Sequence, residues 1–188
     1  RFRTCDEIRD NIELILLRHL IYCLSYSEDP LNHPGNTLLK LLKRFPEKDW
    51  DLNFLSENPN ITWEIIQMNP HYNWNIRSFS GNPNMTFEIL QENLDKDWDW
   101  FELSQHANIK SEMIIETIDD DRYHWDYNSL SKNPNLTWNL IRQNIDKNWN
   151  WSELSKHPNI TWEMINETKN DNRYNWKFSS IIENPNIT

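Results

Sequence analysis

The chain has 188 residues, 19 Lys+Arg against 29 Asp+Glu and a formal net charge of −10, so it repels phosphate backbones and is not read as a general nucleic-acid binder. Its 11 Trp, 27 Asn, single Ala and absence of Val, with 13% aromatic residues, are too rich in rings for a disordered chain and require an aromatic core. Without Val, and with 2 Gly, parallel sheets and β-sandwiches are excluded, which leaves short helices joined by Asn- and Pro-based turns.

At the start of the chain, Thr4-Cys5-Asp6-Glu7 fits a capping box and predicts Thr4 as the N-cap of a helix running to about Tyr26. Ile8, Ile12, Ile15, Leu16, Leu20 and Cys23 fall near one face of it. The most apolar stretch, Leu14 to Leu24, carries Arg18 and His19 and is too short to span a membrane. Cys5 and Cys23 form no disulfide framework and suit a reducing compartment. His19 and Cys23 lie one helical turn apart, but no second pair completes a metal site, so no metal or other cofactor is expected. His33-Pro34-Gly35-Asn36-Thr37, followed by Leu38 to Leu42 and Phe45-Pro46, reads as a degenerate half repeat with Thr37 as its N-cap. Residues 1–49 are therefore expected to form an N-terminal helical cap over a repeat array.

The array is announced by Trp50, Trp74, Trp98, Trp125, Trp149 and Trp176, at spacings of 24, 24, 27, 24 and 27 residues. Five residues after each marker stands an apolar residue (Leu55, Phe79, Leu103, Leu130, Leu154, Ile181), then Ser in every copy except the last, which has Ile182. A polar turn follows, Asn58-Pro59-Asn60-Ile61-Thr62 in the first copy, and after it an aromatic residue, as in Trp63, Phe87, Trp138 and Trp162. Pro59 ends the short helix before it, near Ser56 or Glu57. Thr62, Thr86, Thr137 and Thr161 are expected N-caps of a second helix of about two turns, with an acid such as Glu64 placed to favour the helix dipole. The copies are 50–73, 74–97, 98–124, 125–148, 149–175 and a partial 176–188. Helices of about 7 to 9 residues do not persist alone, so each copy must lean on its neighbours through the rings of Trp50, Trp63, Trp74, Phe87, Trp98, Trp125, Trp138, Trp149, Trp162 and Trp176. The fold read from the sequence is an all-α solenoid of helical hairpins, 24–27 residues each, roughly 50 Å long at ~8 to 10 Å per helix layer.

The third copy departs at the cap, with Lys110 in the Thr position and Ser111 in the aromatic one, which moves the expected cap to Ser111. The 27-residue copies carry three extra residues before the closing Trp, in Ile118 to His124 and Lys169 to Asn175. Arg122, Tyr123, Arg173 and Tyr174 then mark a candidate partner face, against the alternative of neutral loop growth. Asp119 to Asp121 lack the alternating ligands and Gly of a Ca²⁺ loop and read as a solvated acidic loop. Sequons at Asn60, Asn84, Asn135, Asn150, Asn159, Asn166 and Asn186 are read as structure, since five of them are simply the repeat turn. No phosphate loop, nucleophile elbow or zinc motif is present, so no enzyme is expected. The sequence begins with Arg and stops inside a copy, which predicts that it is part of a longer chain.

The Asn-Pro-Asn-Ile-Thr-Trp-Glu-Ile-Ile core, followed by Asn-x-Asp-Lys-x-Trp-x-Trp, resembles tandem repeats in proteins of giant DNA viruses of the mimivirus type, over residues 33–188. The resemblance implies a viral protein located in the virion or in the viral factory of the host cytoplasm, with no assigned chemistry. The expected function is a structural scaffold that contacts other proteins, viral or host, with self-association as a further option. A carbohydrate-binding Trp/Asn array and a host-directed adaptor docking through residues 8–24 are the alternatives.

Overall fold

The computed structural model describes residues 34–187, and among these the chain is entirely helical, with twelve helices and no strand. The capping-box helix, Thr4, His19 and Cys23 lie outside the described residues. The chain divides after Asn75 into two compact units.

The first unit contains α1 (Pro34–Arg44), α2 (Leu52–Glu57) and α3 (Trp63–Met68). Its interior is built by Leu38 and Leu42 of α1, Leu55 of α2, Ile61 of the turn, and Trp63 and Ile66 of α3, all buried. Thr37 lies inside α1, which begins at Pro34, so the expected cap is a helix-interior residue. Proline at the first helical position explains the earlier start, because its fixed φ and missing N–H suit a first turn.

The second unit holds α4 (Ile76–Phe79), α5 (Phe87–Glu92), α6 (Trp100–Gln105), α7 (Ser111–Thr117) and α8 (Tyr127–Leu130). It continues with α9 (Trp138–Gln143), α10 (Trp151–Lys156), α11 (Trp162–Thr168) and α12 (Phe178–Ile181). These helices are 4 to 7 residues long, shorter than the sequence suggests, and none would persist in isolation. Each hairpin contributes one apolar residue from its first helix, one from its turn and one or two from its second helix. Leu103, Ile109 and Ile114 are one such set, and Leu130, Leu136, Leu140 and Ile141 the next, all at most 2% exposed. First helices pack on first helices, α6 against α8 and α10 against α12.

The serine that closes each first helix explains its recurrence. Ser80, Ser131 and Ser155 donate to the carbonyl four residues earlier, at 3.2, 2.9 and 2.6 Å. The same hydroxyls, and that of Ser104, accept the backbone N–H that follows the next marker Trp: Asp99 on Ser80, Asp126 on Ser104, Asn150 on Ser131 and Lys177 on Ser155, at 2.8–2.9 Å. Each hydroxyl thereby ties the end of one first helix to the start of the next. No described residue has a positive φ, so the Asn-Pro turns run without left-handed residues and a chain with 2 Gly suffices.

Candidate interaction surface

Caps and indole hydrogen bonds give each hairpin its shape. Thr62, Thr86, Thr137 and Thr161 accept the backbone N–H three residues on, at 3.4, 3.3, 3.4 and 3.5 Å. Lys110 holds the equivalent place before α7 with no side-chain cap bond. The cap does not move to Ser111, because that side chain is buried and engaged elsewhere: its hydroxyl donates to the Asn135 carbonyl and accepts from Thr137 N–H. A second set of caps is the residue directly after the marker Trp. Asp51, Asp99, Asp126 and Asn150 each accept from first-turn N–H groups at 2.7–3.3 Å. An Asp or Asn just before an apolar residue was the available signal for these caps.

The markers Trp98, Trp125, Trp149 and Trp176 are at most 9% exposed, while Trp50 and Trp74 are half-buried. In the shorter copies the indole N–H donates to the carbonyl five residues earlier, Trp74 to Asn69, Trp98 to Asn93 and Trp149 to Asn144, at 2.7–2.9 Å. Those asparagines in turn donate their amides to the helix carbonyl four residues back. Trp50 uses the Phe45 carbonyl in the same way. In the 27-residue copies a hydroxyl replaces the carbonyl: Trp125 donates to Thr117 Oγ1 and Trp176 to Thr168 Oγ1, each at 3.0 Å. Among the second-helix rings, Trp63 and Phe87 are buried and Trp138 is half-buried, but Trp162 is 47% exposed and is not a core ring. At Ser111, the position equivalent to Trp162, a small hydroxyl bonds to the next turn instead.

The turns of the second unit are linked by two ladders of side chains. In the first, Asn133 Nδ2 donates to the carbonyls of Ser104, His106 and Ile109 at 2.9–3.2 Å, and Asn184 Nδ2 to those of Ser155, His157 and Ile160 at 2.9–3.2 Å. Between them stand histidines: His106 Nε2 bonds the Asn82 carbonyl and His157 Nε2 the Asn133 carbonyl, at 3.1 and 2.9 Å. Each imidazole Nδ1 accepts the backbone N–H two residues on, as an Asn side-chain oxygen does in the other turns, so Nε2 carries the proton. Burial pushes both imidazoles below their ordinary pKa; the carbonyl bonds oppose this, and Glu102 also opposes it at His106. The second ladder is made by the asparagine two residues further along each turn. Asn108 reaches the Pro83 and Met85 carbonyls, Asn135 those of Ala107 and Ile109, Asn159 those of Pro134 and Leu136, and Asn186 that of Pro158.

In the insertions the arginines stay exposed while the tyrosines turn toward neighbouring rings. Arg122 and Arg173 fork onto Asp120 and Asp171 at 2.7–3.2 Å, which draws the Asp120 carboxyl down to about 2 and lowers that of Asp171. Clamped in this way, each loop turns its tyrosine onto a group of rings. Tyr123 packs with Phe87, Trp100 and Trp125 at 6.0–6.2 Å between centroids, and Tyr174 with Trp138, Trp151 and Trp176 at 5.7–6.2 Å. The two groups correspond residue for residue at a shift of 51, Phe87 to Trp138, Trp100 to Trp151, Tyr123 to Tyr174 and Trp125 to Trp176. The same shift relates His106 to His157 and Asn82 to Asn133 and Asn184, so the contacts follow a pair of hairpins rather than one.

Among the described residues no group of three or more His, Cys, Asp or Glu side chains is placed to hold a metal, and no helix is long and apolar enough to cross a membrane. No protein family, curated protein or solved structure matches the chain.

Proposed function

We propose that residues 76–187 form an α-solenoid whose role is structural: a viral, non-enzymatic scaffold that presents an extended, acidic, Asn-rich surface to other proteins. The observation that carries this reading is the double ladder through the turns, in which side chains from His106 to Asn186 bond the backbone of the neighbouring turn. Polar groups used in this way hold copies in register and leave few to converge on a substrate. The protein acts in the virion or the viral factory.

The carbohydrate-array alternative calls for a solvent-exposed Trp74 or Trp149; Trp149 is 5% exposed with its N–H used internally, and Trp74 is half-buried with its N–H on the Asn69 carbonyl, which favours the scaffold reading. Cross-linking mass spectrometry on the protein in its native particles or infected cells tests the scaffold. The expected result is a set of cross-links from lysines of successive copies, such as Lys96, Lys132 and Lys156, to the same partner or to a second copy of the chain. A partner cross-linked only at carboxylates of the first 33 residues, which hold no lysine and are probed with an acid-reactive linker, with no cross-link along the array, would refute it and favour the adaptor reading.

A further inference from the structure

The 51-residue correspondence singles out a place where the two hairpin pairs differ in chemistry. In the earlier pair, Arg77 lies between two carboxylates, Nη1 donating to Asp97 Oδ1 at 3.2 Å and Nη2 to Asp99 Oδ2 at 3.1 Å. The residues at these positions in the later pair are Asn128, Asn148 and Asn150. The guanidinium and both carboxylates are replaced by short amides, and an open cavity of about 320 Å³ lies among them, bounded also by Trp149, Trp151, Ser152, Asn175 and Lys177.

The walls define the kind of molecule that fits. Asn150 Nδ2 donates to Asn128 Oδ1 at 2.9 Å, and Lys177 Nζ donates to Asn175 Oδ1 at 2.9 Å, so both acceptor oxygens are engaged and the amide nitrogens of Asn128 and Asn175 remain as donors. Asn148 is exposed, and its side chain takes part in no hydrogen bond among the described residues. No carboxylate lines the space, so a cationic side chain of the kind that fills the earlier site would find no counter-charge. An anion meets one ammonium on a chain of net charge −10. What remains is a neutral, oxygen-rich molecule with one apolar face for the half-buried indole of Trp151 and hydroxyls that accept from amide N–H groups.

We propose that this cavity is a carbohydrate site, which takes a neutral sugar ring against Trp151 with its oxygens on the amides of Asn128, Asn148 and Asn175. This site is local to one hairpin pair, uses none of the marker indoles as a stacking face and does not require the scaffold role.

Saturation-transfer NMR on the full chain tests it, with glucose, galactose, mannose, N-acetylglucosamine and lactose as probes and glucosamine and glucuronate as charged comparisons. Saturation transfer to at least one neutral sugar is expected. N148A and N175A should each weaken that binding by about three- to tenfold, the worth of one or two hydrogen bonds to neutral groups. The combined N128R/N148D/N150D variant rebuilds the Arg77 arrangement, fills the cavity and should abolish binding while circular dichroism retains the native helicity. Absence of transfer from every neutral sugar would overturn the proposal. So would preference for a charged comparison sugar, binding that survives a folded triple variant, or affinity unchanged in both single variants.

Discussion

Replacing Asn133 by Ala tests the turn ladder at its most committed residue. Asn133 is 1% exposed; its amide nitrogen serves three carbonyls and its side-chain oxygen accepts Asn135 N–H at 2.8 Å. In Asn133→Ala the carbonyls do not lose equally. His106 keeps the N–H of Ile109 at 3.0 Å, and Ile109 keeps the Asn135 amide at 3.4 Å. Ser104, at the end of α6, loses its donor in the interior, which costs about 1 to 3 kcal/mol, and the orphaned Asn135 N–H together with the weakened shared acceptors adds about 1 to 2 more. The expected loss is about 2 to 5 kcal/mol, a large part of the ~5 to 15 kcal/mol that holds a typical domain together. Urea unfolding followed by circular dichroism measures it, with Asn172→Ala in the exposed loop as a comparison expected within about 0.5 kcal/mol of the parent. A loss below about 1 kcal/mol in Asn133→Ala would show that the ladder is decorative.

The remaining predictions concern caps, rings and protons. Thr137→Ala removes a cap and should lower stability by about 1 kcal/mol, whereas Lys110→Thr supplies the missing one before α7 and should raise it by up to about 1 kcal/mol; opposite signs in urea midpoints are the check. Trp162→Ala should cost less than about 1 kcal/mol because the ring is 47% exposed, against about 2 to 4 kcal/mol for Trp138→Ala, whose ring packs on Tyr174 at 5.7 Å and Trp176 at 6.2 Å. Equal losses would contradict the placement of these rings. For His157, the folded chain holds a proton less readily than the unfolded one, so the stability it contributes is complete above the ordinary imidazole value of 6.5 and declines as pH falls through that value toward the lower folded pKa. Melting temperature should therefore drop on acidification over that window, and His157→Asn, which installs the residue found at 133 and 184, should flatten the slope; an unaltered slope would count against a neutral His157.

Features decided within a few residues were legible in the sequence. Thr62, Thr86, Thr137 and Thr161 cap their helices, and the first helix of the opening copy ends at Glu57, because capping and proline exclusion depend only on adjacent backbone. Features decided by contacts between copies were not. Ser56 and its equivalents recur for a bond made 19 to 22 residues away. Trp162 matches Trp138 in its local motif, yet only Trp138 has a loop tyrosine from the next insertion, Tyr174, packed on it. The insertions read as projections from a count of added residues. The Asp–x–Arg fork that turns Tyr123 and Tyr174 inward becomes apparent once Asp120 and Asp171 are seen to bind the arginine two positions on.

The alternation of Asn and His along the first ladder gives the joints between copies unequal strength. An asparagine joint places one amide across three carbonyls of the preceding turn and has no proton to gain, as at Asn133 and Asn184. At a histidine joint the imidazole makes one bond to the preceding turn, beside the Asn108 or Asn159 amide of the second ladder, and depends on a neutral ring whose Nδ1 must stay an acceptor, as at His106 and His157. Protonation turns that acceptor into a donor facing another N–H, so acid weakens every second joint and spares those between. On this ladder the segments that remain joined each run from a histidine turn to the asparagine turn that follows it; the insertion tyrosine packs on both copies of such a segment, Tyr123 on Trp100 and Trp125, and also reaches back across the histidine joint to Phe87. A 51-residue pair of hairpins, not the 24- or 27-residue copy marked by each tryptophan, is therefore the element that the side-chain chemistry treats as one piece.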